Sequence, residues 1–125
     1  MKIYVLDCDE DSCANTAGLL LRYADVELVG RSAEPSSAVG EAAALGPDAL
    51  FVDARLGAAS GLTASERIRG LLPNVRIVYV TASRDYAVAA FEQRAFDYLL
   101  KPLNSDRLDR TIGRLRLDCG ELRTD

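Results

Sequence analysis

Several short apolar runs in this chain end on residues suited to metal or phosphate chemistry. Asp7, Cys8 and Asp9 follow IYVL, Asp53 follows ALFV, Thr81 follows IVYV and Lys101 follows FDYLL. Carboxylates gathered in one place repel one another unless a cation lies among them, and oxygen ligands of this kind suit Mg²⁺. A lysine ammonium and a threonine hydroxyl add a fixed positive charge and a donor, which is what the oxygens of a phosphoryl group require. The set can perform one coherent reaction. A carboxylate attacks a phosphoryl group, the metal and ammonium neutralise its oxygens, and the hydroxyl bonds to the product. Asp53 ends the run ALFV, expected to be the central and most buried strand, and is therefore the candidate acceptor.

These residues can meet only if the fold gathers their runs side by side. Runs of strand length and β-branched character lie at 3–6, 26–29, 49–52, 75–80 and 96–100. Between them, 13–23, 36–45, 61–72, 85–94 and 105–117 carry apolar residues on one helical face. Five strand-then-helix units predict an α/β fold with a five-stranded parallel sheet, doubly wound by right-handed crossovers. Near-continuous apolar strands agree with a sheet buried on both faces. Ligands in such folds bind outside the carboxyl ends of the strands, where the polar residues stand.

The 125 residues suit one domain, expected over 1–118, with 119–125 as a tail or the start of a linker. Fifteen basic residues against nineteen acidic ones give a net charge of −4, which argues against nucleic-acid binding through this domain. No apolar run is long enough to span a bilayer and no signal-peptide core follows Met1, so no membrane partner and a cytoplasmic location are expected. Cys8, Cys13 and Cys119 are an odd number without tight spacing, and there is no histidine to complete a zinc site. Reduced thiols are expected, with Cys13 a packing residue on a helix.

From Lys2 to about Leu117 the sequence resembles the response-regulator receiver family, a (βα)5 flavodoxin-like fold. LFVDARLGAASGL resembles its acceptor loop, with Asp53 in the acceptor place and Gly61 eight residues later. YVTAS is similar to the fourth-strand motif, with Thr81 as the phosphate-sensing hydroxyl, and FDYLLKP to the fifth, with Lys101 before a proline whose bond the family commonly holds in cis. Tyr98 matches the aromatic rotamer switch. The resemblance implies phosphorylation of Asp53 by a sensor histidine kinase or a small phosphodonor, with self-phosphorylation and self-dephosphorylation the only chemistry. It implies Mg²⁺ held by Asp7, Asp53 and the backbone carbonyl of Arg55, and a readout through homodimerisation or docking of an output domain. The stretch YAVAAFEQRAFDYLLKP resembles the receivers that precede LytTR-type DNA-binding domains, which implies a role in transcription regulation for the whole protein.

The sequence departs from the family pattern in the acceptor loop, with Gly57 in place of a usual proline and Arg55 at the carbonyl position, and above all at Cys8, where a second acidic metal ligand is usual. Asp9 is one residue further on and is read first as an N-cap of the following helix, as is Asp11, with metal binding as the alternative. Asp53 could simply end a strand, Thr81 could be an ordinary strand residue, Lys101 a solvated lysine and Tyr98 a core aromatic. Arg107, Arg110, Arg114 and Arg116 are expected on the wet face of the last helix. Two other functions compete. One is a haloacid-dehalogenase-like phosphatase built on Asp7-x-Asp9, which leaves Asp53 without a role. The other is an atypical receiver acting as a phosphorylation-independent interaction module, which Cys8 and Gly57 favour.

Overall fold

A computed structural model describes residues 1–119. The main sheet contains β1 (Lys2–Leu6), β2 (Glu27–Ser32), β3 (Ala49–Val52), β6 (Arg76–Thr81) and β7 (Asp97–Leu100), all parallel, in the order β2-β1-β3-β6-β7. The remaining strands, β4 (Arg55–Leu56) and β5 (Ala59–Ser60), form a small antiparallel hairpin after β3 that periodicity had not revealed, because two-residue strands carry no pattern. The helices are α1 (Glu10–Leu20), α2 (Pro35–Leu45), α3 (Gly61–Leu71), α4 (Ala87–Glu92) and α5 (Ser105–Cys119).

Alternation along the strands divides the core into two layers. Tyr4, Leu6, Leu50, Val52, Ile77 and Tyr79 face α2, α3 and α4. Ile3, Val5, Ala49, Phe51, Val78 and Val80 face α1 and α5. All four residues of β3 are buried, as its place at the centre of the sheet requires. In α5, Leu108, Ile112 and Leu115 recur at helical spacing and are fully buried, each contributing roughly 1.5–3 kcal/mol. Cys13 is also buried, which pushes its thiol pKa up and leaves it a packing residue.

Several elements differ from the sequence expectation at their ends. Helix α1 starts at Glu10 because Asp9 caps it, its Oδ1 accepting from Ser12 N at 3.1 Å. Strand β2 runs on through Gly30, Arg31 and Ser32, residues of low strand propensity held by pairing with β1. At Gly30 an added Cβ would lie 2.8 Å from the Tyr4 ring, so that ring packs where only glycine leaves room. Helix α4 is six residues long, its expected first turn replaced by a turn in which Ser83 Oγ accepts from Asp85 N. Helix α5 continues to buried Cys119, and the rest of the expected tail, 120–125, lies outside the described residues. No helix among the described residues is long and apolar enough to cross a membrane.

Candidate functional site

The chain runs from β1 outward to β2 and then returns to the other side of β1, so the crevice between the carboxyl ends of β1 and β3 is the topological switch point. Asp7 and Asp53 stand there, 3% and 9% exposed. Lys101, just beyond β7, reaches across and donates from Nζ to Asp53 Oδ2 at 2.6 Å and to Asp7 Oδ2 at 2.8 Å. Residues 94 and 48 positions apart in sequence are thus joined by one ammonium. Burial works to lower the Lys101 pKa, but the hydrogen bonds to Asp53 and Asp7 outweigh it and hold the pKa above the ordinary lysine value.

Each carboxylate also has its second oxygen fixed by the backbone. Arg55 N donates to Asp53 Oδ1 at 2.9 Å, and Asp9 N donates to Asp7 Oδ1 at 3.0 Å. Thr81 is buried at the end of β6, and Lys101 N donates to its carbonyl at 2.9 Å, which ties the two strand ends together. The Lys101–Pro102 bond is cis. Gly61 approaches the acceptor loop so closely that an added Cβ would lie 1.9 Å from the Asp53 carbonyl oxygen.

Tyr98 is half-buried on β7, its hydroxyl donating to the Ser83 carbonyl at 2.5 Å and its ring beside Tyr79 and Phe91. It therefore touches the segment between β6 and α4 directly.

Two carboxylates and a main-chain carbonyl are hard oxygen donors of the type Mg²⁺ takes, and with Lys101 they leave the cleft with a local excess of negative charge. Cys8 is the exception: it is exposed, with Sγ 3.9 Å from the Arg55 carbonyl oxygen, so a sulfur borders that oxygen. Among the described residues no three acidic or cysteine side chains form a ready-made cage. A metal here would use the carbonyl and retain water, as Mg²⁺ commonly does. Asp9 is exposed and has one oxygen committed to capping α1, while its backbone positions Asp7.

Sequence reasoning missed the network at the other end of β7. Asp97 is buried and accepts from Arg107 Nη2 at 2.6 Å, Thr111 Oγ1 at 2.7 Å and Arg114 Nη1 at 3.2 Å. Arg107 and Arg114 are therefore not simply a wet face, and Arg116 pairs with Asp25. An acidic residue opening an otherwise apolar strand was the available signal. Burial would raise the Asp97 pKa, but the Arg107 and Thr111 hydrogen bonds outweigh it and hold the carboxyl below the usual aspartate value. A depressed folded-state pKa contributes stability above the unfolded value of about 3.9 and loses it as pH falls through the lower folded value. Acid unfolding should accordingly steepen below about pH 4, and Asp97→Asn should flatten that limb. Parallel acid-denaturation curves for the two proteins would show that Asp97 carries no such linkage.

The model of the response regulator receiver domain family matches residues 3–113 of the chain. This chain belongs to the response regulator receiver family. The receiver is 41% identical over 118 residues to the transcriptional regulatory protein BtsR of Salmonella typhimurium, covering 93% of this chain and 48% of the relative. BtsR of Escherichia coli is 38% identical over the same length with the same coverage. The receiver thus spans about half the length of these curated relatives. Among solved structures, the response regulatory domain of protein mrkE from Klebsiella pneumoniae superposes with a TM-score of 0.85 at 25% identity, covering 94% of this chain and 97% of that one. The family makes this a signalling domain of a two-component response regulator, and the phosphatase reading is set aside. The receiver fold expected from the sequence is the fold observed.

Proposed function

We propose that Asp53 is the phosphoacceptor of this receiver, modified by a sensor histidine kinase or a small phosphodonor in the presence of Mg²⁺. The observation that carries the reading is Lys101 Nζ bonded to both Asp53 and Asp7 at the switch point of the sheet. An Asp53 carboxylate oxygen forms the new bond to phosphorus as the bond from phosphorus to the donor breaks, and the electron pair leaves with the donor. Lys101 is already in place to meet the charge on the transferred group, and Arg55 N holds the other Asp53 oxygen. Asp7, Asp53 and the Arg55 carbonyl would hold Mg²⁺, which supplies charge neutralisation for the phosphoryl oxygens. Thr81 then bonds the product, and Tyr98 trades its bond to the Ser83 carbonyl for a new position, altering the face made by α4, β7 and α5. That face would engage an output region, of LytTR type by the resemblance of its segment, or a second copy of the chain. A cytoplasmic setting follows from the kinase partner.

The test is incubation with acetyl phosphate and Mg²⁺ followed by mass measurement of the intact protein, with one base-labile phosphoryl group expected. No modification under any donor would favour the phosphorylation-independent module, which Cys8 at the metal side also supports.

Cys8 supplies neither the charge nor the hardness Mg²⁺ requires. Cys8→Asp should therefore tighten Mg²⁺ binding by roughly tenfold, about 1.4 kcal/mol. Asp9→Asn should leave it near wild type because Asp9 caps α1. Calorimetric titration separates the cases: equal binding by wild type and Cys8→Asp together with weakened binding by Asp9→Asn would move the missing ligand to Asp9, and equal binding by all three would overturn this account of the metal site.

A further inference from the structure

We propose that a cleft at the amino-terminal edge of the sheet is a second anion site of this protein, one that takes a phosphate group. It lies at the opposite end of β6 from Thr81, roughly 16 Å away along the strand, and does not depend on Asp53 being phosphorylated. The cleft has a volume of about 370 Å³ and is lined by Arg69, Arg76, Arg94 and Arg114 over Val75 and Phe96. Four of the fifteen basic residues of an acidic chain thus meet at one place.

Their charges are not all compensated within the described residues. Arg76 pairs with Asp118, and Arg114 shares Asp97 with Arg107. Among the described residues Arg69 donates only to main-chain carbonyls, those of Gln93 and Arg94. The Arg94 side chain is exposed and has no partner among the described residues. Two cations with no carboxylate partner among the described residues therefore line one cleft, where an anion would relieve their repulsion. A carboxylate brings one charge, whereas a phosphate monoester or pyrophosphate concentrates about two charges and several acceptor oxygens, which matches two guanidinium forks.

The backbone at Arg94 points the same way. Its φ is +61°, and among the described residues it is the one non-glycine residue in the left-handed region. Glycine or asparagine takes that position at lower cost. That turn closes the end of α4, with Arg94 N donating to the Phe91 carbonyl and Ala95 N to the Ala90 carbonyl, and it leaves the Arg94 side chain exposed at the cleft.

The phosphate could be free or carried on nucleic acid. Asp118, near the end of the described part of α5, pairs with Arg76 at the rim of the cleft, and the relatives are about twice as long as this chain. The test is an amide NMR titration of the 125-residue protein, without Mg²⁺, using inorganic pyrophosphate and a short duplex DNA as probes. Saturable shifts are expected at Arg69, Arg94, Ala95 and Phe96. Arg94→Gly should weaken binding at least about fivefold, the loss of a charge-assisted contact, while its thermal midpoint is equal to or above wild type because glycine relieves the backbone. Shifts by DNA at lower concentration, lost steeply with salt, identify phosphate carried on a polymer; shifts by pyrophosphate alone identify a free one. Absence of saturable shifts at these residues with either probe, unchanged affinity in Arg94→Gly, or equal shifts with poly-glutamate would overturn the proposal.

Discussion

Asp53→Asn is expected to reduce phosphoryl incorporation from acetyl phosphate to background, about a hundredfold or more. The amide is close to the carboxylate in shape, so the fold and the Arg55 N bond to the side-chain oxygen can persist. What disappears is the anionic oxygen that forms the bond to phosphorus, together with half of the charge that holds Lys101. Asp7 is the more deeply buried of the two and is not expected to substitute, because its carboxylate is less open to a donor than that of Asp53. Intact-mass measurement after incubation with Mg²⁺ and donor gives the answer directly. Modification of Asp53→Asn at the wild-type level would place the acceptor on another carboxylate and remove the basis of the functional proposal.

Gly61→Ala should produce the largest loss of stability of any single-methyl change near the site, about 3 kcal/mol. An added Cβ would stand 1.9 Å from the Asp53 carbonyl oxygen, 2.8 Å from its carbonyl carbon and 3.0 Å from Ala54 Cα. All three are main-chain atoms, so no side-chain rotation relieves the overlap. Gly61 N also donates to the Ala54 carbonyl at 2.8 Å, and Ser60 caps α3 through Leu62 N and Thr63 N, so the loop is closed from both sides. Any relaxation must displace Asp53 itself and would slow its phosphorylation as well. Gly57, which has φ +60° and open space around its Cβ position, provides the control: Gly57→Asn should cost little. Denaturant unfolding of the two variants is the measurement, and a Gly61→Ala midpoint equal to wild type would show that the close approach does not constrain the loop.

The sequence by itself determined the alternation of strands and helices, the buried centre at β3 and the identity of the polar residues beyond the strand ends. These features are local: burial on both faces writes continuous apolar runs, amphipathic helices write a 3.6-residue period, and Asp9 caps the helix that follows it. Tertiary structure alone decided which side chains bond to which. Lys101 meets Asp7 and Asp53 because the strand order brings β1 and β3 together and the lysine side chain spans from beyond β7, a fact no periodicity encodes. Asp97 with Arg107, and Arg69 against the end of α4, are likewise pairings across elements that look in sequence like ordinary surface charges. The β4–β5 hairpin and the extension of β2 through Gly30 escaped for the opposite reason. Their residues have weak local preferences, and pairing with a neighbouring strand and packing against Tyr4 outweighed those preferences.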